Sequence, residues 1–461
     1  MRILLIRPPR PPRAITIGEF MFCEPLGLEA VYGVLQEQKK HQVTILDMMA
    51  EQVDIKQYLR DQQPEAVGIT ALCIDVENVL ALARTVKAIE QNIPVVVGGT
   101  QAQLMPQAFA EPAVDYVMHH TTAEGLHNLF EVLASSADPE KIRKKIPGVL
   151  TMKDGIPANI RLQRNEYLVP DRSSCVPYRD QYSYFGYRPC ALLQTSQGCC
   201  QCCTFCLRWR LEGGKETHQD MEIIFAQIRK IREPSIMIID NDFLCHAERL
   251  EELCAFLAQE KIEKNFLCYG SVRSILHNRA SVSRFAGHGL KAVLVGYESF
   301  SPSELASYQK KATVEENLEA AGLLRQWGVD AWASFIMHPD WDHADFKAFR
   351  RYIRQLRPEI SSLSPLTPFP GLPAFRKFQD RLLFDVQEYE QWSFGNIAIR
   401  PSKMSLQAYY AEVLLTNLQV NFFMNNAFYL VRRFGLATLL RLSVGGTRLT
   451  WRYLAAMWRA G

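Results

Sequence analysis

The chain has 461 residues, of which 48% are apolar and 22% are charged. This composition is typical of a folded protein, and at about 150 residues per domain the length predicts roughly three domains. A fibrous or disordered chain is therefore excluded. Because 52 basic residues nearly balance 49 acidic ones, the net charge gives no sign of nucleic-acid binding, and any argument from charge must be local.

Targeting signals are weak in this sequence. The amino-terminal stretch MRILLIRPPRPP has only four apolar residues in a row, which is too short for the apolar core of a secretory signal. No run of 18 or more apolar residues occurs, so the sequence predicts no membrane-spanning helix. We expect a cytoplasmic protein, in which twelve cysteines indicate metal or redox chemistry rather than disulfide bonds.

Residues 1–140 alternate short apolar runs with helical patterns, which is typical of a doubly wound α/β domain with a parallel sheet. The five predicted strands are 3–6, 43–46, 66–69, 95–97 and 116–118. Ligands of such folds bind beyond the carboxyl ends of the strands. At these ends the sequence places Pro9, Thr70, Leu72, Gly98 and Gly99.

Residues 141–189 lack a clear period and are predicted to form an ordered linker. A second alternating region, 190–383, follows. Its predicted strands are 191–193, 236–239, 266–269, 292–295, 331–336 and 361–366. Six strand-helix units suit a complete or partial TIM-type barrel, whose chemistry lies at the carboxyl ends of the strands.

The last segment, 384–461, is predicted to be mostly helical. After Glu412 it contains six arginines and no acidic residue, and the arginines stand among aromatic and aliphatic residues. Such helices suit the headgroup layer of a membrane, which predicts a peripheral contact with the inner face of the membrane. Packing on the barrel or on a second subunit, with the arginines meeting acidic faces, is the alternative.

Half of the cysteines lie within 17 residues, and they are Cys190, Cys199, Cys200, Cys202, Cys203 and Cys206. Three of them, Cys199, Cys203 and Cys206, form a CxxxCxxC pattern. Three thiolates can hold three irons of a 4Fe–4S cube and leave the fourth iron open for a ligand. A fourth thiolate from the same group, or a zinc ion held by the overlapping CxxC pairs, stays open as an alternative.

The stretch 195–199 reads TSQGC, and Phe205 is an aromatic residue directly before the last cysteine of the pattern. This loop resembles the signature of radical S-adenosylmethionine (SAM) enzymes. The resemblance implies that Cys199, Cys203 and Cys206 bind a 4Fe–4S cluster whose open iron chelates SAM. One electron, from a donor such as flavodoxin or ferredoxin, would then cleave SAM to a 5'-deoxyadenosyl radical.

The resemblance extends over the predicted barrel. The stretches 239–243 (IDNDF) and 296–299 (GYES) match places where the superfamily holds SAM. The implied SAM contacts are Phe205, Asp240, Asn241, Arg273 and Glu298. Asp240 as a helix cap and Arg273 as the partner of a surface acid are the structural alternatives. Glu298 closely follows a buried apolar run, where a lone carboxylate needs a partner.

A five-stranded doubly wound domain before such a barrel resembles the cobalamin-binding domain of the cobalamin-dependent subclass, and 95–99 (VVVGG) and 115–117 (DYV) match it. The resemblance implies cobalamin contacts from Pro9, Thr70, Leu72, Gly98 and Gly99. Residues 1–150 contain no Asp-x-His-x-x-Gly motif, so no histidine is indicated as the lower ligand of cobalt. Residues 119–123 (HHTTA) replace a run that relatives build from Arg, Gly and Glu, and a domain that has lost the cofactor is the alternative.

Further stretches resemble the hopanoid C-3 methylase family over nearly the full chain. They are 24–29 (EPLGLE), 232–234 (REP), 340–342 (DWD), 367–371 (TPFPG) and 401–406 (PSKMSL). The resemblance implies radical methylation of an unactivated carbon in a hydrophobic substrate, such as a hopanoid-like or isoprenoid lipid, and no nucleic-acid partner. A cobalamin-dependent radical SAM cyclase or oxidase, and a non-catalytic zinc module, are the alternatives.

Overall fold

The computed structural model describes residues 1–12, 14–16, 18, 20–135, 146–151, 155, 160–424 and 427–459. The first strands are β1 (Arg2–Arg7), β2 (Met21–Phe22), β3 (Gln42–Asp47), β4 (Ala66–Thr70), β5 (Val95–Gly98), β6 (Tyr116–Met118) and β7 (Val149–Thr151). Six of them form one sheet in the order β3-β1-β4-β5-β6-β7, parallel except for β7 at the edge. All five predicted strands are present. The order reverses between β1 and β4, which is where doubly wound sheets bind ligands.

Five helices flank this sheet, namely α1 (Leu26–Glu37), α2 (Ile55–Gln62), α3 (Val76–Ile89), α4 (Thr100–Leu104) and α5 (Ala123–Ala134). Helix α3 buries Val79, Ala83 and Val86 on one face, as their spacing predicts. Asp54 caps the start of helix α2, and its side chain accepts from the Lys56 amide at 3.0 Å. It buries little surface, and the sequence pattern therefore gives no sign of it.

Residues 141–189 do not behave as a simple linker in their described part. Strand β7 extends the first sheet, and 3-10 helical turns follow at Ser173–Gln181. The Tyr178 hydroxyl donates to Glu51 at 2.8 Å, and the Tyr182 hydroxyl donates to Asp47 at 3.0 Å. This stretch packs on the first sheet through contacts with residues far away in sequence, which no local period can predict.

The second region supplies β8 (Ser183–Tyr184), β9 (Cys190–Leu193), β10 (Ser196–Gln197), β11 (Thr217–His218), β12 (Ser235–Ile238), β13 (Asn265–Gly270), β14 (Leu290–Glu298), β15 (Asp330–Met337) and β16 (Ile360–Pro365). Six of these strands form a parallel sheet in the order β9-β12-β13-β14-β15-β16. The predicted six strands are thus present. Within the described residues β9 and β16 are the two edges, so the barrel is partial.

The helices of the barrel are α6 (Arg208–Glu212), α7 (Met221–Lys230), α8 (Ala247–Gln259), α9 (Val272–His277), α10 (Arg279–Gly287), α11 (Pro302–Ser307), α12 (Val314–Gln326), α13 (His343–Leu356) and α14 (Pro373–Phe378). Strand residues such as Val293 and Phe335 pack beneath them in one large core. On the other face, Trp332 stacks on Tyr184 at 6.0 Å between ring centres. This second aromatic core fills the barrel near the start of its strands.

A buried ionic group joins the two domains. The Arg179 guanidinium contacts Glu24 and Glu29 beside the first sheet and Glu233 in the barrel. Glu24 also accepts from the Leu192 amide on β9 at 2.5 Å. Burial acts against the charge of Arg179, but the carboxyl groups of Glu24, Glu233 and Glu29 together outweigh it and raise the pKa of this guanidinium. Arg179 therefore stays charged, whereas burial and the neighbouring Glu24 raise the pKa of Glu29, and the contacts of the group fix the domains against each other.

The carboxyl-terminal segment is helical, as predicted. It comprises α15 (Leu406–Leu418), a π-helical stretch at Gln419–Met424, α16 (Ala427–Phe434) and α17 (Leu436–Arg459). Helix α17 packs along α15, and Arg433 pairs with Asp330 at the start of β15 at 3.5 Å. No helix among the described residues is long and apolar enough to cross a bilayer.

Candidate active site

The cysteine loop, residues 198–206, begins at the carboxyl end of the first barrel strand. Strand β10, just before the loop, pairs in an antiparallel ladder with β11, which comes after it. Gly198 has φ +94°, and a Cβ there would lie 2.3 Å from the Lys215 carbonyl oxygen, so only glycine fits. The Gly198 amide donates to Glu212 at 3.0 Å, and the Cys199 amide donates to the Gly213 carbonyl at 3.2 Å. These backbone contacts fix the path of the chain as it enters the cysteine loop.

The five cysteines of this loop fall into two groups. Cys203 is buried and Cys199 and Cys206 are partly buried, whereas Cys200 and Cys202 are exposed. Burial raises the pKa of Cys199 to about 11 and that of Cys203 to about 12, and the Cys206 thiol adds to both shifts. The three thiols of the CxxxCxxC pattern therefore share one desolvated space, where metal binding would have to displace their protons.

All twelve cysteines lie in the described part of the chain, and all are free thiols. Cys190, one alternative for a fourth ligand, is buried with Trp332 and Tyr187 in the aromatic core of the barrel. Cys254 and Cys268 are buried in the main barrel core. These three thiols therefore belong to the apolar cores of the barrel.

Asp240 follows β12 and is buried. Its two carboxylate oxygens accept from the amide, at 2.7 Å, and from the hydroxyl of Thr195, just before the cysteine loop. Burial raises the pKa of Asp240 to about 6, against the opposing effect of the Thr195 hydrogen bonds. The side chain is not a helix cap in this structure, and it fixes the start of the loop.

Asn241 holds the same loop from the other side. Its amide nitrogen donates to the Gly198 carbonyl at 2.7 Å and to Glu212 at 2.9 Å, and its oxygen accepts from Arg208 at 2.7 Å. The rings of Phe205 and Tyr308 meet edge to face with their centres 5.3 Å apart. Both of these predicted SAM contacts therefore also anchor the cysteine loop to the mouth of the barrel.

A cavity of about 280 Å³ opens beside the loop. Cys199, Asp242 and Arg273 line it, so the structure brings Arg273 to the same space as the first cysteine. Asp242 is buried at its wall and accepts from the Ser271 amide at 3.0 Å and the Ser274 hydroxyl at 2.7 Å. Burial raises the pKa of Asp242. Arg273 itself is exposed.

Glu298 ends β14 next to a break in the register of the sheet, with φ +64°. It is buried, and Lys310 Nζ lies 3.2 Å from its carboxylate. A Cβ on Gly296 would lie 2.3 Å from the same carboxylate. Burial acts against the Lys310 charge, but Glu298 and Cys203 outweigh it and raise the pKa of the ammonium group. A cation is therefore held beside the buried thiol.

Sequence reasoning missed Lys310. The residue belongs to no motif, and it lies in the loop between α11 and α12, which carries many polar residues. Its partner Glu298 is 12 positions earlier in the chain. The one available signal was the need of a buried carboxylate for a cation, which does not say which of the nearby basic residues supplies it.

The edge of the first sheet is built differently, from backbone and small residues. Thr70 and Gly98 are register partners at the ends of β4 and β5. Gly99 has φ +93°, and a Cβ there would lie 2.7 Å from Thr70 Oγ1 and 2.8 Å from the Ala71 amide. Leu72 is 52% exposed beside them. The edge is therefore smooth, with an apolar side chain on its border.

Pro9 lies after β1, on the other side of the point where the strand order reverses. Its carbonyl accepts from the Asn78 side chain at 2.8 Å, which ties this loop to α3. His119 and His120 lie in the turn after β6, and the ring of His120 contacts the Arg164 carbonyl at 2.9 Å. Burial lowers the pKa of His119. Both histidines are loop residues, at the opposite side of the sheet from Pro9.

The two strand edges are neighbours. Gln103 belongs to α4, which starts after Gly99, and its side chain donates to the Leu211 carbonyl on α6 at 3.0 Å. Helix α6 directly follows the cysteine loop. Cys73, beside Leu72, packs with Leu207 and other apolar residues of the barrel mouth. A ligand on the edge of the first sheet would therefore lie next to a ligand on the cysteine loop.

Comparison with known families identifies the domains to which these two edges belong. Residues 18–129 match the B12 binding domain, and residues 193–353 match the radical SAM superfamily. The chain therefore carries a B12 binding domain followed by a radical SAM domain, as cobalamin-dependent radical SAM enzymes do. Its cofactors are a 4Fe–4S cluster, SAM and cobalamin, and the three desolvated thiols and the glycine edge fit the first and the last of these. This family assignment sets aside the non-catalytic zinc module.

The chain is similar to several characterised proteins. It is 27% identical to the hopanoid C-3 methylase of Methylococcus capsulatus over 409 residues, which cover 86% of this chain and 76% of the relative. It is 22% identical to the anaerobic magnesium-protoporphyrin IX monomethyl ester cyclase of Rubrivivax gelatinosus, over 88% of this chain and 74% of the relative. A structure of the radical S-adenosylmethionine methyltransferase TsrM from Kitasatospora setae, with cobalamin and a 4Fe–4S cluster bound, shares the fold, with a TM-score of 0.68 over 99% of both chains at 14% identity.

Proposed function

We propose that the enzyme transfers a methyl group to an unactivated carbon of a hydrophobic substrate. The observation that carries this proposal is the direct contact between the two edges, through Gln103 and Leu211. When bound, the cluster and SAM supply a 5'-deoxyadenosyl radical and cobalamin supplies the methyl group. A substrate between the edges would face both. The similarity to the hopanoid C-3 methylase supports methyl transfer and a polycyclic or isoprenoid substrate.

The residues of the chain position these groups and hold charge. Cys199, Cys203 and Cys206 would bind the cluster. Arg273 and Glu298 would contact SAM, since the first lines the cavity beside Cys199 and the second lies with Lys310 close to Cys203. Asp240, Asn241 and Phe205 would act on SAM mainly by fixing the loop, because each is engaged with a loop residue or its neighbour.

The edge of the first sheet would hold cobalamin without a histidine on cobalt. Thr70, Gly98 and Gly99 present backbone and small groups that allow a large flat ligand to approach, and Pro9 and Leu72 would contact its border. The electron needed for SAM cleavage would come from a small redox protein such as flavodoxin or ferredoxin.

A second candidate function is radical cyclisation or oxidation without methyl transfer, which the similarity to the protoporphyrin ester cyclase favours. Product stoichiometry distinguishes the two. The reconstituted enzyme would be incubated without oxygen with SAM, a reductant and a lipid extract. Methyl transfer yields both 5'-deoxyadenosine and S-adenosylhomocysteine, and a lipid 14 mass units heavier. Formation of 5'-deoxyadenosine alone, with an oxidised product, would establish the second candidate instead.

We further propose that α17 brings the enzyme to an anionic membrane surface, where a lipid substrate resides. Five apolar residues of this helix are exposed, and they are Leu436, Leu440, Val444, Trp451 and Trp458. Their spacings of four, four, seven and seven residues place them on one face, here called the apolar stripe. Trp451 is 72% and Trp458 is 88% exposed, which is unusual for tryptophan.

Charge supports the same surface. The 49 residues after Glu412 contain six arginines and no acid. Arg433 pairs with Asp330, and Arg441 donates to the Phe185 carbonyl at 3.0 Å, so these two hold the helices on the barrel. The exposed Arg448 and Arg459 lie close to the apolar stripe. Each basic residue near an anionic surface contributes about 1 kcal/mol.

Sedimentation with anionic vesicles tests this contact. The doubly substituted Trp451→Ala, Trp458→Ala protein is compared with the wild type at low salt. We expect the wild type to sediment with the vesicles and the variant to remain mostly in the supernatant. Phe394→Ala is the matched control, since Phe394 is also exposed (59%) but lies outside α17. Equal sedimentation of all three proteins would rule out docking through the stripe.

A further inference from the structure

A second group of metal-ligand side chains lies outside the cysteine loop. It consists of Glu216, His218 and His246, here called the His-Glu group. One ligand atom from each residue lies within 4.8 Å of the other two. Nε2 of His246 is 3.0 Å from Glu216 Oε2, and the two imidazole rings meet edge to face with centres 4.4 Å apart.

Local structure explains why the three side chains converge. Glu216 and His218 are two positions apart at β11, and alternate residues of a strand point to the same side. His246 directly precedes α8, whose start packs beside this strand. The group therefore joins two elements that follow different barrel strands.

We propose that the His-Glu group binds one divalent ion of the zinc class. Two imidazoles and one carboxylate are a donor set that zinc takes at three positions while a fourth stays open. Ligand atoms at about 2.05 Å from a tetrahedral ion lie about 3.3 Å apart, and the 3.0 Å separation of His246 and Glu216 already fits. The His218 ring is exposed and free to turn the remaining distance.

An ion pair between Glu216 and His246 does not account for the arrangement. Such a pair needs two partners, whereas a third donor, His218, faces the same point. Glu216 and His246 also line the cavity of about 280 Å³ that Cys199 and Arg273 line. The open position of the ion would therefore face the cavity beside the cysteine loop.

The position of the His-Glu group gives the bound ion a structural role beside the cysteine loop. Strand β11 pairs with β10, with Ser196 opposite His218 and Gln197 opposite Thr217. Gln197 is two residues before Cys199. An ion that ties β11 to the start of α8 would stabilise the two-stranded ladder of β10 and β11, which encloses the cysteine loop.

Zinc binding to the reconstituted holoenzyme tests the proposal. Cys200→Ala, Cys202→Ala and Cys245→Ala form the common background, because they remove the exposed thiols and the thiol that lies 3.5 Å from Glu216 Oε2. The protein is dialysed against buffered Zn²⁺ without oxygen, and zinc is counted by elemental analysis. X-ray absorption at the zinc edge identifies the ligands. We expect one zinc ion per chain with nitrogen and oxygen ligands only.

Variants separate this site from adventitious binding. His218→Ala is expected to weaken zinc binding at least about tenfold, while His277→Ala, which also borders the cavity, leaves it unchanged. Full iron content in each variant shows that the fold and the cube are intact. Three results would each overturn the proposal: sulfur among the zinc ligands, zinc binding that survives His218→Ala, or the absence of bound zinc in a protein with full iron content.

Discussion

The two neighbouring strand edges of this enzyme differ in the chemical groups that line them. The first-sheet edge is backbone and small groups, with Gly99 against Thr70 and Ala71. The barrel edge is buried charge, with Asp240, Asp242 and the Glu298–Lys310 pair around the thiols. A smooth edge suits a large ligand recognised by shape, and a charged edge suits a small polar ligand and a metal cluster. Substitutions should therefore act on the first edge by adding atoms and on the second by removing charge or thiols.

The largest effect is expected at the cysteines. Cys203→Ala removes a buried thiol that faces the shared space, and the protein should lose most of its iron and acid-labile sulfide after anaerobic reconstitution. Cys200→Ala and Cys202→Ala are matched controls, since both thiols are exposed, and they should retain a full cube. A full cube in Cys203→Ala, with loss in either control, would show that the register of the pattern is wrong.

The first edge is tested by adding one methyl group at either of two neighbouring glycines. Gly99 has φ +93° and ψ −174°, a conformation essentially restricted to glycine, so Gly99→Ala should cost about 1–3 kcal/mol and abolish cobalamin binding. At Gly98 the nearest atom to a new Cβ is 4.0 Å away, so Gly98→Ala should fold normally.

The Gly98→Ala control variant separates an effect on cobalamin binding from an effect on folding. Weakened cobalamin binding by a stable Gly98→Ala protein would reflect contact with cobalamin itself, measured by optical titration. Unchanged affinity in both variants would place cobalamin elsewhere. The paramagnetic-resonance spectrum of the wild-type cob(II)alamin form should also lack nitrogen splitting from a lower ligand, because no histidine is indicated for cobalt.

On the second edge, Lys310→Met should make the cluster harder to reduce. Reduction adds negative charge beside a buried cation, and loss of about 1 kcal/mol of attraction corresponds to a shift on the order of tens of millivolts. Redox titration of the cluster without SAM measures this shift in reduction potential. A Lys310→Met, Glu298→Gln double variant removes both charges of the pair and should return toward the wild-type potential. An unchanged potential in the single variant would contradict the electrostatic role.

The smallest effect is a dependence on pH. Burial raises the pKa of Asp240 from 3.8 to about 6, so the folded state binds this proton more tightly than the unfolded state. The stabilisation is complete below the unfolded value and is lost as pH rises through about 6. Relative to Asp240→Asn, the wild type should lose about 1 kcal/mol of stability between pH 5 and pH 7. A constant difference, measured by chemical denaturation, would show that the carboxyl group is ionised throughout.

Local patterns were enough to predict all strands of the first sheet except β7 and all six of the barrel sheet, because alternating apolar runs and helical spacing report burial within a few residues of each position. They were also enough to single out the cysteine loop, whose three predicted cluster ligands lie within eight residues. Gly99 stood out as part of a glycine pair, although the reason for glycine, its contact with Thr70, required the structure.

Contacts between distant residues could not be predicted in this way. Arg179 meets Glu24 across 155 positions, and nothing near either residue marks the pair. Lys310 and the His-Glu group likewise depend on which loops the barrel brings together. Asp240 was correctly placed at a strand end, but the direction of its side chain, toward Thr195, follows from packing rather than from the motif.

The ionic group around Arg179 has a consequence for how ligands enter. Arg179 packs with Glu24 and Glu29 on the first sheet, so opening the two domains like a clamshell would break its contact with Glu233 and the hydrogen bond from the Leu192 amide to Glu24. Breaking a buried ion pair typically costs several kcal/mol. We therefore expect the distance between the two cofactors to stay nearly constant during turnover. Substrate and product must then exchange through movements of loops at the rim, and the domains serve as a fixed frame.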